Sequence, residues 1–269
     1  MGVAETDING LSVREWGNPD GPEVVFVHGV VQSQKAFARQ QADMLSQFRM
    51  VSYDLAGHGD SIKPSNPDRY SAPSHASDLR DILDAKGIVR PVLVGWSLGA
   101  RLIAKYVRLY GTSRIAGVVL TGARAVHSDD ASTRGPASGL IARMTSADPQ
   151  EREASLHAFL RAQVHAPLSD ADFALMRAYN MQCPLHVRTA ILDWSRQYFP
   201  DYTAIDVPML MIHGAEDSVA LPTRIPAFAE QLGAELIVYP DVGHMPFWED
   251  APRFNGDLQR FVTSVAGTS

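Results

Sequence analysis

The sequence predicts an α/β fold, a mostly parallel sheet with helices on both faces. Three observations predict it. Short apolar runs recur along the chain and end in glycine-containing turns, amphipathic stretches lie between them, and one long segment in the second half breaks this alternation with helical stretches alone. Buried strands separated by helices cannot be hairpin partners, so each returns to the sheet by a crossover and runs parallel to its neighbour.

Each element follows in chain order. LSVREWG (11–17) alternates apolar and polar residues, the pattern of a half-exposed strand. EVVFVHG (23–29) instead runs four apolar residues together before His28 and Gly29, as a strand buried on both faces does. RMVSYDLAGHGDS (49–61) begins as a strand and breaks into a glycine-rich loop; PVLVGWSLG (91–99), IAGVVLTGA (115–123), VPMLMIHGAED (207–217) and AELIVYPDVGH (234–244) repeat the form. Between them, QKAFARQQADMLSQF (34–48) places Phe37, Gln41, Met44, Leu45 and Phe48 at helical spacing. SHASDLRDILDAKG (74–87) gathers Leu79, Ile82 and Leu83 on one face and ends in Gly87, a helix-stop residue. LGARLIAKYVRLYG (98–111), PAFAEQLG (226–233) and APRFNGDLQRFVTSV (251–265) complete the set.

Residues 124–204 contain no βα unit. PQEREASLHAFLRAQV (149–164), SDADFALMRAYNMQ (169–182) and HVRTAILDWSRQYF (186–199) read as helices separated by prolines, an all-helical insertion between two strands. In a parallel sheet, ligands bind at the carboxyl ends of the strands. The glycine turns fall at those ends, so Gly29, Gly57, Gly59, Gly95, Gly99, Gly122 and Gly214 are expected on one side of the molecule.

Composition narrows the function classes. The 269 residues are 45% hydrophobic and 20% charged, with a formal charge of −6, and no Lys/Arg run offers a surface to nucleic acid. No apolar run reaches the length needed to span a bilayer, and MGVAETDING has no signal-peptide core, so a cytoplasmic location is expected. One cysteine, Cys183, cannot form an intrachain disulfide, and a buried structural thiol is its expected state. No Cys/His cluster suggests a metal, and DLAGHGDS lacks the lysine of a phosphate-binding P-loop, so no cofactor is expected.

GWSLG (95–99) carries the chemistry. Ser97 stands between a buried apolar run and an apolar helix, the strand–turn–helix setting that makes G-x-S-x-G a nucleophile motif. The sharp turn strains the serine, and Gly95 and Gly99 let strand and helix approach. A serine hydroxyl needs a general base, and the base an orienting carboxylate. Of nine histidines, His75, His127, His157, His165 and His186 lie away from the glycine-rich strand ends. His28 and His213 end strands and are read as structural, and His58 in GHG as shaping its loop. His244 remains, in a loop between the last strand and the final helix. The acid should follow a strand: Asp217, three residues beyond Gly214, is favoured, with Glu216 as the alternative, because TGARA after the other available strand has no carboxylate. An oxyanion would need backbone N–H donors, here Leu98 after the nucleophile and Val30 after His28-Gly29.

The order Ser97, Asp217, His244, with HGV near the start, DLAGHGDS after the next strand and a helical insertion, resembles the α/β-hydrolase superfamily over essentially the whole chain. The resemblance implies an eight-stranded sheet, a core of residues 1–123 and 205–269, and a helical cap over the active site spanning 124–204. It implies a serine hydrolase acting on a small ester, lactone or thioester through a Ser97 acyl-enzyme. A dehalogenase would carry aspartate at position 97, and HGVVQSQ does not match the HGGG of many lipases. Two alternatives share the same three residues: hydrolysis of a carbon–carbon bond, and perhydrolysis of the cofactor-free haloperoxidase kind. A small-molecule receptor with slow hydrolysis is a third, from a different class. In the cap, Trp194, Tyr198 and Phe199 are candidates for cap packing or a pocket wall and Arg124 for a salt bridge within the cap or a substrate carboxylate; Trp96, beside the nucleophile, points away from the hydroxyl as a packing or rim residue. The expected partner is a small-molecule substrate, and the expected state a monomer or homodimer.

Overall fold

The structure is a computed structural model and describes residues 3–42, 45–125 and 131–266. Eight strands form one sheet: β1 (Ala4–Ile8), β2 (Leu11–Gly17), β3 (Glu23–Val27), β4 (Arg49–Tyr53), β5 (Val92–Trp96), β6 (Gly117–Thr121), β7 (Met209–Gly214) and β8 (Glu235–Tyr239). Their order is β1-β2-β4-β3-β5-β6-β7-β8. The β1–β2 and β2–β4 pairs are antiparallel, and every later pair is parallel. Strands β5, β6 and β7 are buried at every position, as the continuous apolar runs require.

The helices of the core are α1 (Ala72–Ala85), α2 (Leu98–Tyr110), α7 (Ile225–Leu232), α8 (Pro246–Glu249) and α9 (Ala251–Ala266). Gly87, Gly111 and Gly233 adopt positive φ just past α1, α2 and α7, so the glycines read as stop signals act as such. Between β6 and β7 stand α3 (Ser138–Arg143), α4 (Pro149–Ala162), α5 (Asp170–Met181) and α6 (Leu185–Gln197). Their inward residues Leu156, Phe159, Met176, Val187 and Ile191 join the same apolar core as the sheet. A buried polar link also ties this insertion to the core: Gln32 Nε2 donates to Gln163 Oε1 at 2.8 Å.

Two local readings are corrected. The segment expected as a helix over 34–48 is a 3-10 turn over Gln34–Gln40, with non-helical angles at Phe37. Side-chain bonds compete with helical pairing there: the Gln34 amide donates to Asp54 Oδ1 at 2.8 Å, and Gln40 Nε2 donates to the Phe247 carbonyl at 2.8 Å. Met44 lies outside the described residues. Strand β8 is not buried on both faces; its pattern is mostly exposed or half-exposed because it is a sheet edge.

The order of strands reverses between β4-β3 and β5-β6, so crossovers leave β3 and β5 in opposite directions. The crevice this opens, outside the carboxyl ends of β3 and β5, is where such sheets bind ligands. The turns after both strands meet there: a Cβ on Gly29 would lie 3.4 Å from the Ser97 Cβ.

Candidate active site

Ser97 occupies the turn from β5 to α2 with φ 54° and ψ −108°. A non-glycine residue in this region is strained and persists only where its surroundings hold it. The Ser97 amide donates to the Thr121 carbonyl at 3.0 Å. A Cβ on Gly99 would lie 2.0 Å from the Val27 carbonyl oxygen, and one on Gly95 2.7 Å from the Ala100 Cα, so helix and strand approach closely only with glycine at both positions. The Ser97 side chain makes no capping bond to α2, although it is the N-cap residue.

His244 lies between β8 and α8, and Asp217 three residues past β7. His244 Nδ1 donates to Asp217 Oδ2 at 2.8 Å, and both side chains are buried. Asp217 Oδ1 accepts from the amides of Val219 at 2.8 Å and Ala220 at 2.9 Å. Burial pushes the Asp217 carboxyl up, but His244, His213 and the Ala220 amide outweigh it and hold the group below the usual carboxylate range. His244 is fixed from three further sides. Its amide donates to the Gln163 carbonyl at 2.8 Å, its carbonyl accepts the Trp96 indole N–H at 3.0 Å, and Gly122 leaves room for its ring. Its Nε2 is buried and has no hydrogen-bond partner. Glu216, the alternative acid, is exposed.

Ser97 and His244 share the wall of a cavity of about 260 Å3, together with Val30 and Leu98. Neither the Val30 nor the Leu98 amide donates a hydrogen bond among the described residues. The loop bearing Val30 is held from below by two neutral histidines. His28 donates from Nδ1 to the Gly29 carbonyl at 2.8 Å and accepts the Leu55 amide on Nε2 at 3.0 Å. His58 donates to the Ala56 carbonyl and accepts the Val31 amide at 3.2 Å, which fixes Val31 in a left-handed conformation, φ 59°. Burial lowers the His28 pKa to about 4 and that of His58 well below its ordinary value, so both rings accept through Nε2 at neutral pH. DLAGHGDS is therefore a scaffold for the 30–34 loop, with the Asp54 carboxylate accepting the Gln34 and Asp60 amides.

The helical insertion supplies the opposite wall through Ile141, Ile191 and Leu192. Arg124 lies on the wall, as do Arg101 and Arg134, which sequence reasoning missed. Arg101 was legible, since it stands one helical turn after Ser97; Arg134 carries no local signal. Trp96, Trp194, Tyr198 and Phe199 do not line this cavity, so their pocket-wall and rim candidacies are corrected in favour of the packing alternative. Trp96 is fully buried beneath His244, and Trp194 and Tyr198 pack around the Arg101 guanidinium at 5.8 and 5.7 Å. Cys183 is buried and its thiol is pushed up to about 12, which keeps it protonated. His127 lies outside the described residues.

The family model described as alpha/beta hydrolase fold matches residues 22–251. The chain belongs to the α/β-hydrolase family. This α/β-hydrolase is similar to the non-heme haloperoxidase of Rhodococcus erythropolis, 26% identical over 97% of this chain and 99% of the relative. It is 27% identical to the non-heme chloroperoxidase of Streptomyces lividans, over 97% and 99%. Among solved structures it resembles a putative aryl esterase from Burkholderia cenocepacia, with a TM-score of 0.89, 29% identity, and 98% and 99% of the two chains covered. An esterase from a Rhodococcus species superposes with a TM-score of 0.83 at 28% identity, covering 98% and 100%. No described helix of this α/β-hydrolase is long and apolar enough to cross a membrane.

Proposed function

We propose that this α/β-hydrolase is a serine-dependent hydrolase of small carboxylic esters, with lactones and thioesters open to the same chemistry. The observation that carries the reading is the unpartnered Nε2 of His244, whose ring is fixed by Asp217, on the same cavity wall as the strained Ser97. With Nδ1–H given to Asp217, Nε2 is the ring's basic nitrogen. Ser97 Oγ attacks the ester carbonyl as His244 Nε2 takes its proton. Asp217 stabilises the imidazolium so formed, and the Val30 and Leu98 amides receive the oxyanion. The imidazolium returns the proton to the departing alkoxide, leaving an acyl-Ser97. Water, deprotonated by His244, then releases the acid and restores the Ser97 hydroxyl. In this reading residues 124–204 act as a cap that excludes bulk water and selects the acyl group.

Hydrolysis of nitrophenyl esters from acetate to a long-chain acid tests the reading, with Ser97→Ala alongside. Turnover with a chain-length optimum, lost in the variant while its circular dichroism is unchanged, is the expected result. Wild-type turnover in Ser97→Ala overturns it.

The similarity to proteins named haloperoxidases favours a second reading, perhydrolysis. Hydrogen peroxide would replace water in attacking the acyl-Ser97, and a peracid would leave in place of the acid. Bromination of a phenol that requires acetate, peroxide, bromide and Ser97 together would establish it.

A further inference from the structure

The cavity wall carries three arginines, Arg101, Arg124 and Arg134, and no aspartate or glutamate among the described residues. Arg101 is the informative one because its partners among the described residues are all identified. Its Nη2 donates to the carbonyls of Ser195, at 2.7 Å, and Tyr198, the last turn and the end of α6. Its Nε is buried with no hydrogen-bond partner. Its Nη1 makes no hydrogen bond and is not among the buried atoms. Among the described residues, the groups near enough to act on its charge are the Tyr202 and Tyr198 phenols and Arg134, with no carboxylate among them, and burial lowers its pKa.

A largely buried guanidinium without a carboxylate partner is costly, and an anionic ligand at its free nitrogen would supply the counter-charge. Arg101 also stands four residues after Ser97. Ser97 caps α2 from a turn with non-helical angles, Arg101 lies one turn into that helix, and both line the same cavity. A small substrate whose ester carbonyl reaches Ser97 would therefore present its other end to Arg101.

We propose that the cavity selects an anionic ester, one with a carboxylate a short carbon chain away from the scissile carbonyl, and that Arg101 binds that carboxylate through its solvent-reached Nη1. The inference rests on the serine-hydrolase reading for the position of the scissile carbonyl. Arg101 itself takes no part in the bond-breaking steps. The two carbonyl bonds from Nη2 aim the guanidinium, and the Trp194 and Tyr198 rings flank it. A single neutral substitution on the substrate removes the interaction.

The test compares the phenyl hemiester of glutaric acid with phenyl pentanoate, which has the same chain and a methyl in place of the carboxylate. Wild-type protein should favour the hemiester at least tenfold in kcat/KM. Arg101→Met should abolish this preference, bringing the ratio of the two kcat/KM values to about one, and Arg101→Lys should keep part of it. Equal rates on the two esters in the wild type overturn the proposal. So does an Arg101→Met variant that slows both esters alike, which would mean that Arg101 only ties down α6. Calorimetry separates a failure of this proposal from a failure of the serine reading. If neither ester turns over, monomethyl glutarate binding to the wild type that is lost in Arg101→Met still supports the anion site. Absence of such binding overturns it.

Discussion

The two buried histidines under the Val30 loop make stability depend on pH in a way that one substitution can isolate. His28 is fully buried, and although Asp54 and the Gly29 carbonyl favour its charged form, burial and the nearby His75 lower its pKa from 6.5 to about 4. The unfolded chain binds a proton at His28 near pH 6.5, and the native protein binds it only near pH 4. The stability this group contributes is thus fully present above pH 6.5 and is lost as the pH falls toward 4. At 1.36 kcal/mol per tenfold change, the whole effect is about 3 kcal/mol, and about 2 kcal/mol of it is expressed by pH 5. His28→Gln keeps an acceptor for the Leu55 amide and cannot titrate. Urea unfolding of both proteins at pH 7.5 and pH 5 gives the comparison. His58 and His213 also have lowered pKa values, so both proteins should weaken on acidification. The variant should lose about 2 kcal/mol less than the wild type. Equal losses in the two proteins would refute the assignment of a neutral, desolvated His28.

Further outcomes follow from the geometry around His244. In Asp217→Asn, the Val219 and Ala220 amides demand an oxygen at the Oδ1 position, which turns the new NH2 toward His244 Nδ1. The ring proton then moves to Nε2, which can no longer take one from Ser97, and kcat should fall by about 10^4, as in other serine triads, with little change in unfolding midpoint. A variant retaining near-normal kcat would sink the triad reading; if Glu216→Gln alone slowed the enzyme, the acid would have to be reassigned. Gly122→Ala forces a side chain into positive φ, 56°, and sets a Cβ 2.9 Å from His244 Nδ1 and Cε1. It should cost about 1–2 kcal/mol in urea unfolding and lower kcat as the imidazole shifts, whereas Gly87→Ala, with nothing near its Cβ, should show the stability cost alone.

Much of the architecture was legible because parallel strands buried on both faces leave continuous apolar runs, and helix ends leave glycines. The hairpin strand β1, AETDI, was not read, because it is polar and lies exposed at the sheet edge. Its signal was the turn instead: Asn9 and Gly10 both adopt positive φ, 54° and 82°, as a two-residue hairpin turn demands. The short α3 likewise buries none of its residues and left no apolar stripe to find.

For the site, local sequence sufficed to nominate Ser97, Asp217 and His244, since each sits in a loop that a strand delivers to the same end of the sheet. What faces the cavity was decided by packing across distant segments. Trp96, adjacent to Ser97 in sequence, points under His244, because successive residues of a strand face opposite sides. Trp194 and Tyr198 turn onto Arg101, whereas Ile191 and Leu192 of the same helix reach the cavity. Arg134, from the stretch between β6 and α3, reaches the cavity that Ser97 lines where its bridge to Ala220 closes the insertion onto the loop after β7. Periodicity and turn chemistry are local, so the sequence by itself determined the sheet, the helix ends and the residues available for chemistry. The charge and shape of the cavity come from residues far apart in the chain, and only the tertiary structure decided them.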